Sequence, residues 1–283
     1  MKAPIDIYIG RAEENWLGAL YTYAGKLFQS TYLPSHDHSH HLRVWNISKH
    51  VLKEIATHSS SITEARVEGV LIAALFHDLG MAQSTREDHG SLGRELCAAW
   101  FSESGHTPPS GFDNILDAIE MHDRKEARYF PDKGNTPVIL DILHAADDLE
   151  AMGIIGIYRY AEIYLLRGIP MQDLGWRILE NAEHRIRNLT STAFCPGIIE
   201  KYQQQFEELT SFYRKYIRQL QEVEQAEKAD YGQLGVINYI RSRGISQEVR
   251  PEDFSKKAEE EGKNAMIKEF FSKLKNELEK KRE

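Results

Sequence analysis

The chain has 283 residues, enough for one large domain or two modest ones with a sizeable buried core. Hydrophobic residues make up 41%, an ordinary fraction for a globular protein, and the formal net charge is -8. This charge argues against nucleic-acid binding across the whole surface. It also means that any bound phosphate must be neutralised locally, by metal ions or by a few well-placed Arg and Lys residues.

The sequence gives no sign of export or of a membrane span. No window reaches the roughly 18 apolar residues of a transmembrane helix, and the first residues, MKAPIDIYIGRAEENW, lack the features of a signal peptide. The two cysteines, Cys97 and Cys195, lie far apart and form no CxxC motif, so neither a disulfide framework nor a thiolate zinc site is expected. We therefore expect a cytoplasmic protein without a membrane partner.

Helical periodicity runs through most of the chain. Apolar residues recur at helix spacing in 16–28 and again in 42–55. The stretch SITE, from Ser61 to Glu64, has the form of a capping box before the apolar run VLIAALF, and this helix should end near Gly80. Pro137 predicts the start of a long, mostly buried helix over 138–166. Convincing strand alternation is absent, and we expect an all-α helical bundle.

A composition change after residue 225 predicts a domain boundary. We expect residues 1–225 to form the main domain and 226–283 to form a charged helical extension. The extension carries an amphipathic stripe: Ile267, Phe270, Phe271, Leu274 and Leu278. The favoured interpretation is a helix that docks on its own domain or on a subunit of a homo-oligomer. Membrane binding is the alternative, which the mixed charge of the helix weakens.

Two histidine-rich segments are candidates for metal binding. The stretch SHDHSHHLRV places His36, His38, His40 and His41 within six residues. The stretch AALFHDLG ends an apolar helix with the adjacent pair His77 and Asp78. Burying an ionised carboxylate costs several kcal/mol unless it is paired or bound to a cation. Read alone, the pair is equally compatible with a simple His-Asp hydrogen bond.

Further imidazoles and carboxylates follow downstream. His89 lies in DHGSLG, His122 in ILDAIEMHD, and Asp147 and Asp148 in ILHAADDLEAMG. Imidazoles and carboxylates without thiolates suit borderline divalent metals such as Fe, Mn, Co, Ni or Zn. Asp147 lies in an apolar stretch, so its charge needs a partner. A solvated or substrate-facing role is expected for Asp148.

These residues, in this order, resemble a known signature. His40, then His77-Asp78, then Asp147 are similar to the H…HD…D motif of the HD-domain superfamily of metal-dependent phosphohydrolases. HDHSHHLRV resembles the HDxxHxxRV variant, in which the later histidine, here His40, is the ligand. The run from Ala146 to Ile157 resembles the helix of the final aspartate. The resemblance covers about residues 32–160, and a fainter similarity continues to about residue 225.

The resemblance implies a metal-dependent phosphohydrolase that acts on a nucleotide or a related small phosphate ester. Metal ions would lower the pKa of bound water to near neutrality, and the resulting hydroxide would attack phosphorus in line. One ion needs His40, His77, Asp78 and Asp147. Two ions, with Asp78 shared between them, would use His89 and His122 as well, as in HD-class dinucleoside tetraphosphate hydrolases.

Other roles are assigned more loosely. Catalysis is expected to involve Asp78, His77 and Arg43. Phosphate-binding charge could come from four residues, each of which could instead form an ordinary ion pair or be solvated: Arg43, Arg124, Lys125 and Arg159. His38 or Asp148 could assist proton transfer. His144, three residues before Asp147, could hydrogen-bond it or simply pack in its helix.

Rival interpretations remain for the chemistry of such a site. HD-like proteins with a six-ligand pair of irons activate oxygen instead of hydrolysing phosphate esters, and a catalytically silent HD module could bind a nucleotide as a regulator. The HxHxDH motif of metallo-β-lactamases and the HxH of amidohydrolase barrels also partly match 36–41. Both of these need folds with strands, which the sequence does not predict.

Overall fold

The structure, a computed structural model, describes residues 4–58, 62–85, 88–123, 137–191 and 194–280. The described residues contain helices and no strand, so the fold is all-α as predicted. The chain divides into two compact units. Unit 1 comprises Met1–Glu150 and Asn188–Glu200, and unit 2 comprises Ala151–Arg187 and Lys201–Glu283. Among the described helices, none combines the length and the apolar character needed to cross a membrane.

Unit 1 is built around one helix whose C-terminal half is fully buried. Its helices are α1 (Pro4–Ala12), α2 (Gly18–Leu27), α3 (His38–His58), α4 (Glu64–Phe76), α5 (His89–Ser104), α6 (Phe112–Met121) and α7 (Ile139–Glu150). From Gly69 to Phe76, helix α4 is apolar and buried on all sides, and the helix packs against α1, α2, α3, α5, α6 and α7. Such a helix is stable only when its whole circumference is buried, which makes α4 the core of the unit.

The two ends of α4 differ from the prediction. Its N-cap is Thr63, whose side chain accepts a hydrogen bond from the Arg66 amide at 3.3 Å; Ser61 of the predicted capping box lies outside the described residues. The helix ends at Phe76, before the predicted stop at Gly80, and a 3-10 turn over Leu79–Ala82 follows. The chain therefore turns sharply at His77 and Asp78.

Gly80 and Gly93 allow α5 to lie very close to this turn. A Cβ atom on Gly80 would lie 2.1 Å from the His89 carbonyl oxygen, and one on Gly93 would lie 2.8 Å from the Phe76 carbonyl oxygen. No other residue type fits either position without moving the backbone. These glycines bring the start of α5, and with it His89, against the end of α4.

The predicted helix over 138–166 is wrong in one respect, because it is broken. Helix α7 ends at Glu150 and α8 begins at Gly153, which has a φ of 72°. This left-handed conformation ends a right-handed helix and is readily adopted only by glycine. The break falls where unit 1 ends and unit 2 begins.

Unit 2 has a separate aromatic and aliphatic core. Its segments come from α8 (Gly153–Leu166), α9 (Met171–Ser191), α10 (Pro196–Glu222), α11 (Gly232–Tyr239), α12 (Pro251–Glu260) and α13 (Ala265–Lys280). The apolar stripe of α13 is buried in this core, as expected for a helix that docks on its own chain. The division at residue 225 into a main domain and an extension stays a prediction, since compactness assigns no role to either part.

Candidate metal centre

Six predicted ligands meet in unit 1, and most of them lie at helix ends. His40 lies in the first turn of α3, His77 and Asp78 at the end of α4, and His89 at the start of α5. His122 follows the last residue of α6, and Asp147 lies in the second half of α7. Helix ends allow adjacent residues such as His77 and Asp78 to face one point, which a regular helix, turning 100° per residue, prevents.

Asp78 lies at the centre of this cluster. Its Oδ2 is 3.3 Å from His40 Nε2 and 3.5 Å from His77 Nε2. Its Oδ1 is 3.3 Å from His89 Nε2 and 3.0 Å from His122 Nε2. Each oxygen of one carboxylate therefore faces its own pair of imidazoles.

The cluster thus has two halves. The inner half is His40, His77 and Asp147, and the Asp147 Oδ1 lies 3.6 Å from His40 Nε2. The outer half is His89 and His122. Three donors from each side, with Asp78 counted in both, lie close enough together to hold an ion: His40, His77 and Asp78 on one side, and Asp78, His89 and His122 on the other.

The other ring nitrogen of each histidine faces an acceptor. His77 Nδ1 lies 2.9 Å from the Ala74 carbonyl oxygen, and His122 Nδ1 lies 2.7 Å from that of Ile119. A carbonyl can only accept, so both Nδ1 atoms carry the hydrogen and both Nε2 atoms present a lone pair to the centre. This is the tautomer that a metal ligand requires.

The geometry fits a metal ion between the inner histidines. His40 Nε2 and His77 Nε2 are 3.2 Å apart, and two lone pairs at that distance repel each other unless a cation lies between them. Nitrogen and oxygen ligands at about 2.1 Å from an ion are themselves separated by roughly 3.0–3.4 Å. The separations around Asp78, 3.0 to 3.5 Å, lie within or just above this range.

Burial and charge prepare the ligands for binding at neutral pH. Burial lowers the pKa of His77 to about 4, although the charge of Asp78 opposes the change, so the ring is neutral and free to coordinate. Burial alone would raise the pKa of Asp78, but the imidazoles that face its carboxylate, those of His77, His122, His40 and His89, hold it well below its ordinary value. Asp78 is therefore ionised.

The comparison with protein families decides the assignment. The family model of the HD domain matches residues 38–152, a range that contains all six clustered residues. Within the chain, this segment is thus similar to an HD domain. This family consists generally of metal-dependent phosphohydrolases. No curated protein and no solved structure matches the chain significantly.

The HD domain contains a buried ion pair that the sequence analysis missed. Glu150 is fully buried; its Oε1 accepts a hydrogen bond from Arg43 Nε at 2.6 Å, and its Oε2 lies 3.3 Å from His40 Nδ1. Glu150 thus places a carboxylate beside His40 Nδ1, at the ring nitrogen where His77 and His122 have backbone carbonyls. The signal was available, because Glu150 follows Asp147 by three residues and so shares its helix face.

This pair decides between the two roles expected for Arg43. The side chain is 1% exposed, and its guanidinium also donates to Ser39 Oγ at 3.0 Å. Ser39 Oγ in turn donates to Asp37 Oδ1 at 2.6 Å. Arg43 is therefore engaged with a buried carboxylate and not turned toward an open phosphate site.

The other phosphate-binding candidates are Arg124, Lys125 and Arg159. Arg124 and Lys125 lie outside the described residues. Arg159 belongs to α8 of unit 2 and is buried. The expected solvated role of Asp148 is wrong, because its side chain is 1% exposed. His144 Nε2 lies 3.0 Å from the His122 carbonyl oxygen, so it steadies the residue beside the centre.

The remaining histidines of 36–41 surround the inner half without joining either ligand group. His36 Nδ1 lies 2.6 Å from Ser35 Oγ, and the His38 ring lies 5.0 Å from that of Tyr21. His41 is fully buried against the rings of Phe28 and His77. Its two nitrogens have no hydrogen-bond partner, and burial lowers its pKa well below the ordinary value, so it packs as a neutral ring.

Proposed function

We propose that this HD domain is a two-metal phosphohydrolase that acts on a nucleotide or a related small phosphate ester. The observation that carries the proposal is the orientation of the Asp78 carboxylate, whose two oxygens face two different pairs of imidazoles. A carboxylate placed in this way is suited to bridge two ions. His40, His77 and Asp147 would complete the first ion's ligand set, and His89 and His122 would contribute to the second.

The charges of the site favour an anionic substrate. Asp78 and Asp147 each contribute one negative charge, and the burial of His77 keeps its imidazole neutral. Glu150 adds no net charge because Arg43 neutralises it. Two divalent ions would therefore leave a net charge of roughly +2 at the centre, which attracts phosphate despite the net charge of -8 on the chain.

The residues around the centre would then position the reaction. Bound divalent ions would supply an acidified water as nucleophile and would neutralise charge on the phosphoryl oxygens. Asp78 would belong to both ligand sets and so fix their relative position, and Glu150 would fix the orientation of His40. A neighbouring polar side chain would donate the proton that the leaving group requires. Arg124 and Lys125 follow His122 directly in the sequence and remain the candidates for additional phosphate contacts.

Phosphate release from a nucleotide panel tests this proposal. We expect the wild-type protein, loaded in turn with Mn, Fe, Co, Ni or Zn, to release phosphate from at least one member. Asp78→Ala should lose both bound metal and phosphate release, because it removes the one side chain that both ligand groups share. The matched control is Asp173→Ala at an exposed position of α9, which should change neither quantity.

Each rival function predicts a different result in the same assay. Oxygen uptake with a mixed-valent iron signal, and no phosphate release, would show an oxygenase. Nucleotide binding without turnover by the metal-loaded protein would show a regulatory module. Full phosphatase activity in Asp78→Ala would contradict the metal-site assignment itself.

A further inference from the structure

Helices α9 and α10 form an open groove in unit 2 that the metal centre does not use. The groove has a volume of about 610 Å³, and Leu179 and Ile217 form its apolar floor. Trp176 stands beside this floor with 59% of its surface exposed, the largest fraction among the exposed large hydrophobic side chains of the described residues. An exposed tryptophan at an apolar groove is typical of a protein contact, where Trp and Arg supply much of the binding energy.

The charges of the groove are separated by helix. The lining residues of α9 include Glu180 and Glu183, whereas those of α10 include Arg214 and Arg218. The groove as a whole is therefore close to neutral, but one wall is acidic and the other is basic. A strongly anionic ligand such as a nucleotide would meet the acidic wall as well as the basic one.

The charges also differ along the groove. A Cβ atom on Gly175 would lie 2.7 Å from Ile217, and Glu183 lies 3.6 Å from Arg214, so the two helices run antiparallel. Arg218 is one turn beyond Arg214, toward the end that holds Trp176. One end of the groove therefore presents an aromatic ring and the guanidinium of Arg218. The other end presents the carboxylates of Glu180 and Glu183, and Glu183 is paired with Arg214.

We propose that a second copy of this chain docks on this groove through a twofold axis. A twofold contact joins each end of the groove to the opposite end of the partner's groove. Trp176 and Arg218 of each copy then meet the acidic end of the other. Trp176 covers the partner's apolar floor, and Arg218 pairs with Glu180, since Glu183 already pairs with Arg214 of its own chain. The same contacts occur twice, which makes a self-complementary surface from a neutral groove.

Charge reversal tests this pairing directly. The measurement is molar mass in solution, by light scattering or sedimentation, over about 1–100 μM chain. The wild type should show twice the chain mass of 32.5 kDa. Arg218→Glu alone and Glu180→Arg alone should each weaken the dimer at least tenfold, because each places like charges opposite each other at both contacts. Trp176→Ala should weaken it as well.

Mixing the two charge-reversed chains should restore the dimer. In the mixed pair, position 218 of one chain and position 180 of the other carry opposite charges at both contacts. Lys215→Glu is the matched control: it makes the same kind of charge change at an exposed position of α10 that does not line the groove, and it should leave the dimer unchanged.

Three outcomes would overturn the proposal: a monomeric wild type over the whole concentration range, an oligomer that Trp176→Ala and both reversals leave unchanged, or two reversed chains that stay monomeric when mixed. A groove that binds a small molecule or another protein while the chain stays monomeric falls under the first outcome. Circular dichroism of each variant confirms that the exposed substitutions leave the helices folded. None of these results depends on the hydrolase activity.

Discussion

The two halves of the candidate metal centre differ in the residues that hold their histidines in place. In the inner half, His40 and His77 have no exposed side-chain surface, and a buried, charge-balanced pair of Glu150 and Arg43 stands behind His40. In the outer half, the His89 side chain is 8% exposed, and its Nδ1 lies 3.5 Å from Asp123, a carboxylate at the edge of the site. Since an ion is held more tightly by ligands that cannot move, we infer that the inner half binds its ion more strongly.

Removing one histidine from each half gives the largest expected effect. His122→Ala should leave one tightly bound ion per chain, held by the intact inner half. His40→Ala should leave at most one weakly held ion, which dialysis against a mild chelator removes. Elemental analysis before and after dialysis measures both. Equal loss from the two variants would show that the halves do not differ.

The next effect comes from the support of His40. Glu150→Gln keeps an oxygen that can accept from His40 but removes its charge and leaves Arg43 buried without a counterion. We expect a loss of about 3 kcal/mol in the free energy of unfolding. We also expect a 10–100-fold loss of affinity for the inner ion. Chelator competition and denaturant titration measure the two quantities separately.

A double variant separates these two effects. Glu150→Gln combined with Arg43→Met removes the unpaired charge, so most of the stability should return while the affinity for metal stays low. If affinity returns together with stability, Glu150 acts only in folding and does not tune His40.

The equivalent substitution in the outer half should have a smaller effect. Asp123→Asn removes the charge behind His89 at a longer distance and in a more exposed place than Glu150. We expect less than a tenfold loss of affinity for the outer ion and a change of stability within about 0.5 kcal/mol. A loss as large as that of Glu150→Gln, in the same competition assay, would reverse the comparison.

The last expected effect is on stability alone and lies outside the centre, at the start of the helix that carries Asp147 and Glu150. Burial raises the pKa of Asp141 to about 6, although the Val138 amide donates to its carboxylate. A raised carboxyl pKa stabilises the fold below the unfolded value near pH 4, and this contribution is lost as the pH rises through 6. Asp141→Asn should therefore be more stable than the wild type by about 1 kcal/mol at pH 7 and equal to it near pH 4. Parallel stability curves for the two proteins would contradict the burial effect.

The sequence predicted which segments form helices better than it predicted where those helices begin and end. Helical periodicity was enough for the all-α fold, because burying one face of a helix imposes a pattern on the sequence. It did not predict the break at Gly153, since a run of apolar residues looks the same on both sides of a left-handed glycine. The N-cap at Thr63 was missed because two residues of SITE can both cap a helix.

The candidate site shows the same limit. The motif predicted which six residues meet, because the ordered residue types carry that information along the chain. It did not predict Glu150, whose partner Arg43 is distant in the sequence, or the burial of His41 and Asp148. The spacing of three residues from Asp147 places Glu150 on the same helix face, but its pairing with Arg43 and the burial of His41 and Asp148 depend on how α3, α4 and α7 pack.

The central claim is that one carboxylate, Asp78, joins two ion sites. Elemental analysis of anaerobically purified protein, with the concentration of chain measured by amino-acid analysis, tests it most directly. We predict two transition-metal ions per chain in the wild type and none in Asp78→Ala. One ion per chain in the wild type, unchanged by substitution of His89 or His122, would contradict the two-ion centre.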